Sequence, residues 1–149
     1  MQTEFSLLVV EDSPDLVASW KRDIEEFNES TDNALLIRPV FTTNLRETEE
    51  ALKWQRIDAA VVDLRIPFGE TVEGGPGGPG EENGANGNQV LKDIIKDLPI
   101  PIVIYSGHTN DLDDIFDKPH IDVRQKEGGG QMSSLLLLAE KINLIQAIQ

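Results

Sequence analysis

The chain has 149 residues, 39% of them apolar, and sets 27 Asp and Glu against 13 Lys and Arg for a net charge of −14. That length suits one domain, 1–149, with a real core. So acidic a chain, with no cluster of Lys and Arg, is a poor match for direct nucleic-acid binding, which depends on cations meeting phosphates. The absence of cysteine removes disulfides and thiolate chemistry and fits the cytoplasm. No membrane association is expected: the longest leucine run, Leu135 to Leu138, falls far short of the ~20 apolar residues of a span. The opening Met1 to Phe5 has neither the basic region nor the long apolar segment of a secretory signal. Asn28-Glu29-Ser30 matches a glycosylation sequon and is read as chance.

Phe5 to Val10 is an apolar run that suits a strand buried on both faces, and it ends in Glu11-Asp12. Ser13-Pro14 then marks a helix start, with serine as the cap and proline at the first helical position. Val17, Trp20, Ile24 and Phe27 follow at helical spacing, and both aromatics are read as core. Leu35 to Val40 is a second strand, and Pro39 points to a sheet edge. Asn44 and Glu47 form a capping box for a helix over Leu45 to Gln55. The next strand, Ala59 to Val62, runs straight into Asp63.

Phe68 to Gly87 departs from this regular alternation. Strand-to-helix loops usually take about 2–6 residues; this one takes 20 and is rich in Gly and Pro. Gly75 to Gly80 matches a Gly-x-Gly-x-x-Gly pattern. It does not follow a strand, and its two prolines lack the N–H groups of a phosphate cradle, so a dinucleotide site is rejected. The segment reads as a flexible surface insertion, with a lid or docking loop as the alternative. A helix over Gln89 to Leu98, a strand over Ile100 to Tyr105 ending in Ser106-Gly107-His108, and a short acidic helix over Asp111 to Asp117 follow. The acids of that helix fail the calcium-loop spacing. Ile121 to Gln125 is a weak fifth strand, followed by Lys126. Ser133 or Ser134 then caps a last helix with Leu135, Leu138, Ile142 and Ile145 in one stripe.

Five alternations of strand and helix argue for an α/β sheet with helices on both faces. In such sheets ligands bind at the carboxyl ends of the strands, and here those ends carry Glu11, Asp12, Asp63 and Ser106, with Lys126 beyond the fifth. Leu-Leu-Val-Val-Glu-Asp-Ser, Val-Val-Asp-Leu-Arg-Ile-Pro and Val-Ile-Tyr-Ser-Gly-His, in that order and spacing, resemble the receiver domain of two-component response regulators over nearly the whole chain. The resemblance implies a flavodoxin-like, doubly wound, five-stranded parallel sheet of order 2-1-3-4-5. It also implies that Asp63 accepts a phosphoryl group from a histidine kinase or phosphotransfer protein. Asp12, Asp63 and the backbone carbonyl of Arg65 would hold Mg²⁺, with Glu11 acting through water. Ser106 would hydrogen-bond a phosphoryl oxygen, and Lys126 would pair with its charge. The chemistry suits the residues: a carboxylate can form an acyl phosphate, phosphoryl transfer needs positioning and charge neutralisation, and Mg²⁺ typically takes one or two carboxylates and keeps waters.

Departures from the family pattern are local. Glu127 stands where proline usually follows the lysine, so a trans bond and a shifted loop are expected, with Arg124 as a stand-in cation. The aromatic switch position falls at Val123. The expected function is a signalling phosphoacceptor, not an enzyme, that switches a surface for an output partner or domain. The alternative is a pseudo-receiver, a phosphorylation-independent interaction module. A Mg²⁺-dependent phosphohydrolase is a third reading, disfavoured because Arg65 stands where a second acid is wanted.

Overall fold

The structure, a computed structural model, describes residues 3–30, 35–63, 85–106, 118–125 and 130–148. In chain order the elements are β1 (Thr3–Val10), α1 (Pro14–Glu29), β2 (Leu35–Thr42), α2 (Leu45–Trp54), β3 (Ala59–Val62), α3 (Ala85–Asp97), β4 (Ile102–Ser106), β5 (Ile121–Gln125) and α4 (Gly130–Ile148). The strands form one five-stranded parallel sheet of order β2-β1-β3-β4-β5, as the resemblance implied.

Alternation along the strands divides the core. Phe5, Leu7 and Val9 of β1 and Ala59 and Val61 of β3 pack under Trp20, Ile24 and Phe27 of α1 and Leu135, Leu138 and Ile142 of α4. Leu8, Val10, Ala60 and Val62 face the other way, under Leu45 and Ala51 of α2 and Leu91 and Ile95 of α3. Continuous apolar runs are what strands covered on both faces require. Each fully buried large side chain contributes about 1.5–3 kcal/mol, so Phe5, Leu7 and Leu8 anchor β1 firmly from both faces.

Several boundaries differ from those read in the sequence. β2 runs two residues past Val40 because β1 pairs with it throughout, to Val10↔Thr42. Helix α3 begins at Ala85, so residues 85–87 belong to it and not to the preceding Gly-rich stretch. Helix α4 begins at Gly130, and neither Ser133 nor Ser134 caps it. Ser134 is fully buried inside the helix, and the first turn is tied to α1 by Ser19 Oγ donating to Gln131 Oε1 at 2.6 Å. Ile145 and Leu136 face solvent, and the buried stripe stops at Ile142. The acidic helix over Asp111 to Asp117 lies outside the described residues.

Pro39 does lie on an edge strand, and a side chain covers that edge at Ile37. Asn28 Oδ1 accepts from the Ile37 N–H at 2.7 Å, and its Nδ2 donates to the Ile37 carbonyl at 2.9 Å. The amide thus replaces a neighbouring strand at Ile37, and Pro39, two residues on, has no N–H to offer. The sequon asparagine is therefore engaged in the fold. One rung further along β1, Asp58 Oδ2 accepts from the Ser6 N–H at 2.8 Å, and Arg38 donates to Ser6 Oγ at 2.7 Å.

Asn28→Ala is expected to lower stability by about 1–3 kcal/mol, because two backbone groups lose their partner. Urea denaturation reads that loss, and light scattering reads the association of the opened edge. On α1, partial burial first, and the neighbouring Glu26 second, raise the Asp23 pKa above its usual 3.8, against the lowering effect of Arg22. A raised carboxyl pKa means the folded state disfavours the charged form, so Asp23 opposes folding above its folded pKa and ceases to below 3.8. Asp23→Asn should raise the urea midpoint at pH 7, with the gain shrinking as pH falls through the acid range.

Candidate functional site

β1 and β3 are adjacent and in register, Val10 opposite Val62. The next residue on each is an acid. Asp63 donates its N–H to the Val10 carbonyl at 2.9 Å, and Glu11 donates its own to the Thr42 carbonyl at 3.0 Å. Both acids therefore extend the ladder by one rung and have little backbone freedom. Thr42 is itself tied to α2 through its hydroxyl, 2.8 Å from that of buried Thr48.

One carboxylate oxygen from each of Glu11, Asp12 and Asp63 lies within 4.8 Å of the others. Glu11 and Asp63 are buried, at 2% and 6% exposure. Asp12 reaches solvent. Glu11 Oε2 accepts from the Ser13 N–H at 3.2 Å, and Ser13 Oγ in turn caps α1 by accepting from Leu16 N–H at 3.4 Å. The positive end of α1 thus opens beside the acids. That offsets part of their repulsion, which at 4.8 Å is about 3.5 kcal/mol per charged pair for an effective dielectric near ~20. A hard divalent cation offsets two of the three negative charges of such a set, and all-oxygen donors with one side open to water are the donor chemistry it takes. The cluster is compatible with a metal site.

The other sequence-read residues divide. Ser106 ends β4, its backbone at the same edge of the sheet and paired with Gln125. Its side chain, together with Arg65, His108 and Lys126, lies outside the described residues. Arg124 lies in β5 opposite Tyr105, and its guanidinium donates to the Val123 carbonyl at 3.2 Å. Val123 packs against the α2–α3 core.

Tyr105 is a neighbour that sequence reasoning missed. Val62 pairs with Ile104, so Tyr105 stands level with Asp63 and shares its face of the sheet. Its ring meets Trp20 of α1 edge-on, at 5.2 Å and 76°. The signal was available in the strict alternation of β4, where Val103 and Tyr105 share one face.

No family model matches the chain, and no curated protein matches it either. Solved structures do. The response regulator receiver domain (CheY-like) from Methylobacillus flagellatus is 18% identical, with 99% of this chain and 100% of that one covered and a TM-score of 0.59. The signal receiver domain of an HD domain-containing protein from Pseudomonas fluorescens Pf-5 is 12% identical, covers all of both chains and gives 0.62. The RcsB response regulator of Salmonella typhimurium, 14% identical with a TM-score of 0.60, is covered over 60% of its length by 93% of this chain. This chain has the fold of response regulator receiver domains. Among the described residues no helix is long and apolar enough to cross a membrane.

Removing one clustered charge should stabilise the metal-free protein. Asp12→Asn is expected to raise the urea midpoint in chelator-treated buffer by the equivalent of about 1–3 kcal/mol, less as salt screens the cluster.

Proposed function

We propose that this chain is a phosphoacceptor receiver domain of two-component signalling. The observation that carries the reading is the convergence of Glu11, Asp12 and Asp63 within 4.8 Å at the carboxyl edge of a receiver-fold sheet. In this reading a carboxylate oxygen of Asp63 attacks phosphorus. The bond from phosphorus to the donor's imidazole nitrogen breaks, the electron pair returns to the ring, and an acyl phosphate forms. The histidine belongs to a kinase or phosphotransfer protein.

Asp12, Asp63 and the Arg65 carbonyl would hold Mg²⁺, with Glu11 acting through water. The ion, when bound, would neutralise the charge that otherwise repels an incoming phosphoryl group. Burial of Asp63 and its backbone bond to Val10 hold the nucleophile in one orientation. Ser106 would donate to a phosphoryl oxygen. Lys126, or Arg124 in its place, would pair with the added charge.

Phosphorylation adds charge and acceptor oxygens and shifts the population of two surfaces, one of which an output partner or domain reads. The protein acts in the cytoplasm and makes no direct contact with nucleic acid; its role is signalling, not turnover. Glu127, where the family usually has proline, favours a second reading, a pseudo-receiver whose interaction surface needs no phosphoryl group.

Acetyl phosphate with Mg²⁺ is expected to add one phosphoryl group by intact mass to the native chain and none to Asp63→Asn. Labelling of Asp63→Asn at full stoichiometry would end the proposal. Mg²⁺ alone should change the emission of Trp20, which touches Tyr105 beside the acids. The titration is read in a Trp54→Phe background, because Trp54 is 75% exposed. No response at millimolar Mg²⁺, together with no labelling, supports the pseudo-receiver.

A further inference from the structure

The inward stripe of α2 is Leu45, Thr48 and Ala51, with Leu52 packed beside it, and Thr48 is its polar member, 1% exposed. A buried hydroxyl costs free energy unless it is hydrogen-bonded, and valine has the same shape without that cost. Thr48 Oγ donates to the Asn44 carbonyl at 2.8 Å and lies 2.8 Å from the hydroxyl of Thr42, which is 4% exposed. A hydroxyl has one hydrogen to give. That of Thr48 goes to Asn44, so Thr42 is the donor to Thr48. The two hydroxyls form a one-way chain that ends on the residue capping α2.

Thr42 is the last residue of β2, an edge strand whose neighbour in the sheet is β1. Its carbonyl accepts the Glu11 N–H at 3.0 Å, the bond that carries the ladder past Val10. The end of an edge strand is where local opening is easiest. Two residues, Thr43 and Asn44, separate this end from α2. Asn44 accepts from Glu47 N–H at 2.8 Å, and Glu47 Oε1 accepts from Thr43 N–H at 2.7 Å. Both of those bonds are exposed to water, whereas the bond from Thr42 to Thr48 is buried. Glu11 carries one of the clustered carboxylates. Its backbone is held by Thr42, and its side chain by the Ser13 N–H.

We infer that Thr48 is a positioning residue of the acidic cluster. Its hydroxyl, acting through Thr42, holds the Glu11 backbone so that the Glu11 carboxylate faces a divalent cation held with Asp12 and Asp63. The inference rests on the proposed metal site and adds to it a residue of α2, an element that contributes none of the three acids. Groups behind those that face a metal commonly set its affinity.

The test compares Thr48→Val, Thr48→Ser and the double variant Thr42→Val/Thr48→Val with the native chain. Thr48→Val strands the Thr42 hydroxyl and should lower the urea midpoint. The double variant removes both partners together and should recover most of that loss. Amide hydrogen exchange in metal-free buffer reads the hold on Glu11. The reference is the Asp63 N–H, bonded to Val10 on the other side of β1. The ratio of Glu11 to Asp63 exchange should rise about fivefold in both valine variants, the effect of one buried hydrogen bond, and stay native in Thr48→Ser. Titration followed by NMR should show the Mg²⁺ dissociation constant raised by about as much in the same two variants and native in Thr48→Ser. A merely structural role makes ratio and affinity return with stability in the double variant, and that result overturns the inference. So does an unchanged ratio in Thr48→Val. A native chain that shows no response to millimolar Mg²⁺ ends the metal reading instead, and the metal-free ratio tells that failure from a failure of the Thr48 hold.

Discussion

The fold rests on an in-register pair of parallel strands that ends in like charges. Val10 opposite Val62 places Glu11 and Asp63 side by side, and Asp12 joins them from the turn into α1. Nothing in the local chemistry of three acids favours that meeting; left to themselves they repel by several kcal/mol. The core beneath β1 and β3 holds them together. Phe5 to Val10 and Ala59 to Val62 are buried on both faces, and the burial they contribute exceeds the repulsion they impose. Strain of this kind, sustained by a packed core at the carboxyl edge of a sheet, is characteristic of functional sites.

The surroundings of the cluster moderate the conflict without removing it. Ser13 both caps α1 and donates its N–H to Glu11, so the same turn that starts the helix fixes the most buried acid. The Thr42–Thr48 contact holds the end of β2, to whose carbonyl the Glu11 N–H donates. On the other side Tyr105 lies level with Asp63 and is braced by Trp20. A change of charge at Asp63 would therefore press on a packed aromatic pair as well as on solvent. Val123 packs into the opposite face of the sheet.

The two ends of the sheet have different chemistry. The carboxyl edge carries like charges held close by backbone. The amino edge is apolar, with proline-rich entries to β4 and β5 and an exposed end of α4. The Asn28 clamp covers the β2 edge at Ile37 in a third way, with neutral hydrogen bonds. These three borders of one sheet thus present distinct surfaces, and the strand order β2-β1-β3-β4-β5 decides which residues each surface receives.

The elements themselves were legible because their causes are local. Apolar runs mark Phe5 to Val10 and Ala59 to Val62, Ser13-Pro14 and Asn44 with Glu47 mark helix starts, and Pro39 marks an edge; all of these depend on neighbours in the chain. What the tertiary structure alone decided comes from partners far apart in sequence. The bond between Ser19 and Gln131 ties the first turn of α4, the pairing with β1 carries β2 to Thr42, and Asn28 reads as a chance sequon until Ile37 lies beside it. The distance between Asp12 and Asp63, and the level at which Tyr105 meets them, follow from strand register, which no stretch of the chain encodes by itself because it depends on which face of each strand the core selects.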